Sequence, residues 1–272
     1  MNHSSDAALS NFCVLSCARI VSLESSTVYL SVAAGDGRRT IVRDARVEQA
    51  HSEAIVAFAD QAGTLLGVEP AQFDAIAFGA GPGSFTGLRI ACGVAQGMAF
   101  GIGCSIIPVD AFAAIAESAA PVDGAGVAVA IDARMGEVYF AALIREGGRW
   151  REVVAASVGR PDEAPALPAQ ASLQPWVGAG SGFEAHEQTL RNRLGQPLVA
   201  IYPDARPRAE MIDRLARIEL AAGRAIDAAA AAPRYVRDRV ALTTAERQAR
   251  RVEENAVSIG AARPTEGANA RL

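Results

Sequence analysis

The sequence contains no lysine, and all 26 of its basic residues are arginine. This absence excludes a Schiff-base amine, the lysine of a phosphate-binding P-loop and the strand lysine of protein kinases as catalytic groups of the chain. Histidine is scarce as well, since the chain has only His3, His51 and His186. General-base and zinc chemistry therefore have few candidate residues.

Cysteine is also sparse, and its placement argues against a metal site. Cys13 and Cys17 have the spacing of helix neighbours, but no histidine lies near them in sequence to complete a zinc set. Cys92 and Cys104 stand in apolar stretches and are typical of small buried side chains. We therefore predict reduced thiols, no metal and no cofactor.

The charge balance and the apolar runs set further limits. The net charge is -4, whereas a strong nucleic-acid binder usually has a basic domain, so any RNA contact should be local or shared with a partner. The N-terminus lacks a signal-peptide pattern, and no apolar run reaches the ~20 residues of a membrane span. A cytoplasmic protein without membrane contact is expected.

The first half of the chain has an α/β pattern. Apolar runs separated by polar turns and by Gly35-Asp36-Gly37 predict a β-meander, and apolar residues at three- and four-residue spacing predict helices. The predicted strands are Ile20–Leu23, Val28–Ala33, Arg39–Val42 and Ala75–Phe78, and the predicted helices are Gln49–Leu66, Thr86–Phe100 and Asp110–Ser118.

The second half repeats this plan. Ala128–Arg134 matches the first strand with its acidic turn, and Val138–Ala142 matches the second strand, so that Glu24 and Asp132 occupy equivalent places. We predict a two-lobed RNase-H-like (ASKHA) duplication, the layout of actin, Hsp70 and acetate kinase. Its parts are a leader at residues 1–18, lobes at 19–120 and 121–242, and a charged, disordered tail at 243–272.

The glycine-rich loop between the fourth strand and the next helix has two interpretations. Gly79–Gly83 either cradles a phosphate at a helix N-terminus or forms a tight turn that needs glycine. Ser84 is either a nucleophile or a helix cap, although Pro82 and Thr86 replace the glycines of a nucleophile elbow. The missing lysine and the missing elbow favour the turn and the cap.

Two further features leave similar alternatives. Gly178–Gly182 precedes another helix and is either a phosphate loop or a flexible strand-to-helix turn, and we favour the turn. Glu24 and Asp132 either bind Mg²⁺ or orient water, or they simply end their strands, and we favour strand ends. The helix Thr86–Phe100 has almost no polar face, and Gly93 and Gly97 stand four residues apart. It is either buried wholly inside the fold or shared between the core and a partner protein.

Three segments resemble a known family. Gly81–Arg89, Ala130–Tyr139 and Pro233–Asp238 are similar to signature segments of the TsaB (YeaZ) family, and the matches extend over residues 20 to about 240. The resemblance implies a non-catalytic subunit that forms homodimers alone. It also implies a heterodimer with the catalytic subunit TsaD, joined by the ATPase TsaE, for threonylcarbamoyl transfer to tRNA adenosine, with tRNA contacted only through the complex.

The hypothesis for the partner site is a helical bundle with TsaD or with a second copy of the chain. Its proposed residues on two helices are Ile55, Phe58, Arg89, Val94, Ala95 and Met98. The first strand departs from the family pattern, because Glu24-Ser25-Ser26-Thr27 stands where an aspartate usually begins the turn. The alternatives are an ATP-dependent acetate-kinase-like enzyme and a glycoprotease-like serine peptidase.

Overall fold

The structure is a computed structural model that describes residues 17–47, 50–168, 175–195 and 198–237. Residues 1–16 of the predicted leader and the predicted tail at 243–272 lie outside the described residues. The chain up to Val236 forms one compact unit that contains two five-stranded sheets.

The first sheet has the order β3-β2-β1-β4-β5. The first three strands form an antiparallel meander, because short polar turns join them, and β4 and β5 run parallel to β1 after helical crossovers. Every residue of β1 is buried, as expected for a central strand. The strands are β1 Ile20–Glu24, β2 Tyr29–Gly35, β3 Thr40–Arg46, β4 Ala75–Gly81 and β5 Ser105–Asp110.

The second sheet repeats this topology with the order β8-β7-β6-β9-β10. Its three-stranded meander is antiparallel. Strand β9 pairs in parallel with β6, and β10 pairs in parallel with β9. The predicted two-lobed α/β duplication is confirmed. The strands are β6 Gly126–Arg134, β7 Glu137–Glu146, β8 Arg149–Gly159, β9 Trp176–Ala179 and β10 Leu198–Tyr202.

Five α-helices connect and cover the sheets in the described residues. Helices α1 and α2 cover one face of the first sheet, where Val21 and Leu23 alternate with Ile20 on the opposite face. Hydrophobic burial on both faces of a sheet requires cover on both sides. The helices are α1 His51–Leu66, α2 Phe85–Ile102, α3 Ala111–Ala119, α4 Ser181–Leu194 and α5 Ala209–Ala221.

Helix α3 contacts both sheets, whereas α5 packs on the first sheet and on α3. Helix α3 buries Phe112 and Ile115 against the second sheet, and α5 buries Ile212 and Ala216 against the first. The chain after β10 therefore returns to the first lobe, where Ile226 bridges to Ile106 at the β5 edge. The predicted boundary at residues 120 and 121 assigns α5 and Ile226 to the second lobe, whereas both pack against the first sheet.

Candidate interaction surface

The loop from β4 to α2 packs tightly against the turn that follows β1. A Cβ added at Gly87 would stand 1.9 Å from the Ser25 carbonyl oxygen, and one at Gly83 would stand 2.6 Å from the Ser26 Cβ. The Ser84 N–H donates to the Ser26 carbonyl at 2.8 Å. The glycines thus permit a close backbone approach, which favours the tight-turn interpretation over a phosphate cradle.

Ser84 caps helix α2. Its Oγ accepts from the Gly87 N–H at 3.4 Å, the bond that an N-cap serine supplies. His51 is buried at the start of α1, and His186 lies in α4 of the other lobe. The described contacts of Ser84 include no histidine, so the geometry favours the cap over the nucleophile.

Glu24 is buried where β1 ends, with 1% of its surface exposed. Its Oε1 accepts from the Ser26 N–H at 2.6 Å and from the Ser26 hydroxyl at 2.5 Å, while Oε2 has no hydrogen-bond partner in the described part of the chain. A Cβ at Gly79 would stand 1.8 Å from that Oε2. Burial raises the pKa of Glu24 to about 7, because desolvation disfavours the charged carboxylate.

Asp132 has a more open environment at the equivalent point of the second lobe. Its Oδ1 accepts from the Arg134 N–H at 2.8 Å, and its Oδ2 lies 3.2 Å from the Arg134 guanidinium. Among the described residues, no group of three or more His, Cys, Asp and Glu side chains is arranged to hold a metal ion. Glu24 is thus bound by Ser26 of its own turn, and Asp132 is bound by Arg134 of its own turn.

Two of the three signature segments meet in space. The Arg234 N–H donates to the Ala80 carbonyl at 2.7 Å, and the Arg89 Nε donates to the Tyr235 hydroxyl at 3.0 Å. The Tyr235 ring lies 5.6 Å from the Phe85 ring, with the Arg89 guanidinium 3.8 Å above Phe85. The C-terminal segment therefore holds the glycine loop and the first turn of α2.

Arg234 also connects the two lobes. Its guanidinium donates to Asp110 at the end of β5 and, at 2.8 Å, to Glu152 of β8. Burial raises the pKa of Asp110, and the arginine opposes this effect. Charge-assisted bonds from one guanidinium to two carboxylates favour a fixed position for the segment.

Helix α2 has one buried and one exposed side. Leu88, Ala91, Ala95 and Ala99 face the core, whereas a Cβ at Gly93, Gly97 or Gly101 would meet no atom within 4 Å. Phe100 is 86% exposed beside them. We call Gly93, Gly97, Phe100 and Gly101 the glycine stripe. The helix is thus shared between core and solvent, and complete burial inside the fold is excluded.

The apolar composition of α2 follows from these two sides. With 18 residues and a mean hydropathy of 1.2, it is the one described helix with the length and composition of a membrane span. Its buried face lies within the main core cluster of the first lobe, among Phe78 and Ile106. Packing against the sheet therefore accounts for the apolar character of the buried side of α2.

The six proposed partner residues do not share one surface. Arg89 is exposed, and Val94 and Met98 are half-buried on α2. Ile55 and Ala95 are 0% exposed in the core and therefore inaccessible to a partner. The apolar period identified their helices but not the sides that the sheet would cover.

Phe58 lies on a different side of α1 from Val56, which together with Leu65 is one of the two large apolar residues that this helix exposes. Phe58 lines a depression with β3, whereas Val56, which is 53% exposed, shares a helix face with Gly63 seven residues later. A Cβ at Gly63 would contact the Phe73 ring at 3.5 Å, on the side where the segment before β4 approaches α2. Sequence reasoning missed Val56, whose signal was a valine outside the core-facing period.

Comparisons with known proteins agree with the fold and the motifs. A family model described as TsaD, tRNA N6-adenosine threonylcarbamoyltransferase, matches residues 45–245. The chain is 34% identical over 232 residues to the tRNA threonylcarbamoyladenosine biosynthesis protein TsaB of Haemophilus influenzae, covering 81% of this chain and 94% of that protein. It is 33% identical over 230 residues to the Escherichia coli protein of the same name, covering 82% and 96%.

Solved structures of related proteins indicate the same family. YeaZ from Pseudomonas aeruginosa is 33% identical and superposes with a TM-score of 0.72 over 80% of this chain and 99% of that one. A second structure, described as similar to peptidase YeaZ from Pseudomonas aeruginosa, is 34% identical, with a TM-score of 0.74 over 81% and 100%. The chain belongs to the family that the TsaD model describes and, within it, to the TsaB (YeaZ) proteins of tRNA threonylcarbamoyladenosine biosynthesis.

Proposed function

We propose that the chain is a non-catalytic, cytoplasmic subunit that binds a TsaD-type transferase and stabilises its active state. The observation that carries the proposal is the glycine stripe, an exposed apolar face on a helix whose other side lies in the core. The same complex would include a TsaE-type ATPase and would contact tRNA through its other subunits. A chain without the catalytic partner would form a homodimer.

The stripe has the chemistry of a helix-docking surface. Exposed apolar patches on folded domains mark interaction sites, and glycines at four-residue spacing let a second helix approach closely. Phe100 offers an aromatic anchor at one end, and Arg89 offers a charged group at the other. Helix α1 contacts α2 and exposes Val56, so two helices from each partner would form a bundle.

A homodimer and a heterodimer built on this stripe would exclude each other. A two-fold dimer places the same patch of both copies in contact, so the patch is unavailable to another subunit. Adding the transferase should therefore dissociate the homodimer. Activation would follow from differential binding, because a subunit shifts its partner's equilibrium only by preferring one state.

The residues of the first lobe support a non-catalytic role. The chain has no lysine, Ser84 caps a helix, and Glu24 is buried against Gly79. A nucleotide-binding turn in this fold would need open space after β1, whereas Gly83 and Gly87 bring the loop onto that turn. The isolated chain should show no ATP turnover with Mg²⁺, and a fluorophosphonate should not label Ser84. Micromolar ATP binding with turnover, or labelling, would contradict the proposal.

The direct test is Gly97→Glu, assayed by calorimetric titration with the TsaD-type subunit. The new side chain enters open space and replaces a helix-interior glycine, so the fold should be kept while a charge enters the apolar contact. We expect an affinity loss of at least about tenfold, which is about 1.4 kcal/mol.

Thr189→Glu is the matched control, because it adds the same charge at an exposed interior position of α4. The control should change the affinity by less than about twofold, within the range of surface substitutions. Equal affinities for the wild type and the Gly97→Glu variant would remove the stripe from the interface.

A further inference from the structure

A depression on the β3 side of the first lobe is distinct from the glycine stripe. It has a volume of about 440 Å³ and is lined by Val42, Arg43 and Asp44 of β3, Phe58 of α1 and Arg208 before α5. That volume is in the range of small-molecule sites. We propose that this depression binds the phosphate group of a phosphomonoester or phosphodiester ligand.

The charges around the depression favour an anion. The Arg206 guanidinium forms two hydrogen bonds to Asp44, at 3.2 and 2.6 Å, and stacks 4.0 Å over the Tyr29 ring. Asp44 is the one carboxylate among the described lining residues, and this pair neutralises it. The positive charges of Arg43 and Arg208 remain in surplus in a chain whose overall charge is negative.

Neither of these two arginines has its own carboxylate at hydrogen-bond distance among the described contacts. Arg43 donates from Nε and Nη2 to the neutral Gln61 Oε1, at 3.0 and 2.7 Å. Arg208 stands 3.7 Å from Asp44, beyond a direct hydrogen bond, and that acid is already shared with Arg206. Gln61 orients Arg43 without cancelling its charge.

Arg208 carries the second, independent observation. Its Nε is buried and has no hydrogen-bond partner among the described residues. The Arg208 side chain as a whole is 42% exposed, so its guanidinium is open to the depression, and a bound oxyanion would supply the acceptor that its Nε lacks. Guanidinium groups bind phosphate through paired N–H donors, which makes phosphate the fitting anion.

Phe58 and Val42 give the depression an apolar wall beside its arginines. Such a wall suits the sugar or base next to a phosphate, since aromatic rings stack on bases without sequence preference. A free phosphomonoester and a phosphodiester of single-stranded RNA share this chemistry. The site uses no residue of the glycine stripe, so its test is independent of transferase binding.

The experiment is calorimetric titration of the full chain with inorganic phosphate, adenosine 5′-monophosphate and a short single-stranded oligouridylate in separate arms. Arg43→Gln combined with Arg208→Gln should weaken binding of the active probe at least about tenfold, because both phosphate-facing charges are lost. Arg193→Gln removes one positive charge from the exposed side of α4 and should change binding by less than about twofold.

The arms distinguish the source of the phosphate. Binding of the monophosphate with one site per chain, lost in the double variant, supports a free phosphomonoester. Binding of the oligouridylate alone, also lost in the double variant, supports an RNA phosphodiester. Absence of binding in every arm, or equal losses in the double variant and the Arg193→Gln control, would overturn the proposal. Thermal melts of all variants establish that they are folded.

Discussion

Helices α2 and α4 occupy equivalent places in the two lobes but have opposite surfaces. Helix α2 follows the glycine loop after β4 and leads into the edge strand β5, and α4 follows the glycine loop after β9 and leads into the edge strand β10. The exposed side of α2 carries glycines and Phe100, whereas that of α4 carries an ion pair between Glu187 and Arg191 at 2.8 Å and further polar groups. Duplication of a fold therefore did not duplicate its surface.

The lobes also differ in the number of outer helices. Helix α1 joins β3 to β4 in the first lobe, whereas the described part of the β8–β9 connection contains only the short 3₁₀-helix Pro161–Glu163. Only the first lobe thus offers two neighbouring outer helices in the described residues. A helical bundle with a partner requires such a pair, which assigns the proposed interface to the first lobe.

The largest expected effect is on the free energy of unfolding, and it distinguishes closely packed glycines from glycines on the exposed side of α2. Gly87→Ala should lower the free energy of unfolding by about 3–4 kcal/mol, because its Cβ would stand 1.9 Å from a backbone carbonyl oxygen. Gly182→Ala in the second lobe meets the Ala130 Cβ at 2.7 Å and should destabilise less. Urea unfolding measures both, with Gly101→Ala as the open-site control. Equal stability of Gly87→Ala and the control would refute the packing role.

The next effect compares the two acids that follow β1 and β6. The pKa of Glu24 is raised from 4.5 to about 7, so between these values the folded chain holds a proton that the unfolded chain releases. The stability contribution is fully present below pH 4.5 and is lost as the pH rises to about 7. Glu24→Gln should therefore gain about 3 kcal/mol relative to wild type between pH 4.5 and 8.

The matched variant for this prediction is Asp132→Asn, because Asp132 is partly exposed and paired with Arg134. Denaturant unfolding of the wild type and both variants at a series of pH values should give a pH-dependent difference between the wild type and the Glu24 variant. A difference for the Glu24 variant that does not change with pH would show that burial of Glu24 does not control its proton.

The smallest expected effect is that of Gly97→Ala, which should increase stability but weaken binding. Gly97→Ala should raise the free energy of unfolding by about 0.5–1 kcal/mol, because alanine favours a helix interior and its Cβ meets no atom. The added methyl group should nevertheless weaken transferase binding by holding the partner helix farther away. Thermal unfolding and calorimetric titration of one preparation test both signs. Tighter binding together with higher stability would contradict the close-approach account.

Much of the fold was readable from the sequence, since alternation, glycine turns and the internal repeat predicted both meanders. Strand β5 was not predicted, because Pro108 interrupts a short apolar run. The structure places β5 at the edge of its sheet, where Ile106 meets Ile226 from far along the chain. Such long-range cover has no local sequence signal.

The sequence predicted the helices of the candidate site but not the exposed side of each helix. A helix without a polar face gives no indication of which side the core covers, so Ala95 and Val94 were equivalent in the sequence. Contacts that join distant segments, such as Arg89 with Tyr235, also depend on the completed fold. The motifs located the surface, and only the packing oriented it.

The central claim is that the first lobe, through α2, holds the catalytic partner. Amide hydrogen exchange of the chain, measured alone and in complex with its TsaD-type subunit, tests this claim most directly. We expect slower exchange on binding in residues 86–101 and in α1, with unchanged exchange in α4. Slower exchange in α4 with no change in residues 86–101 would contradict it.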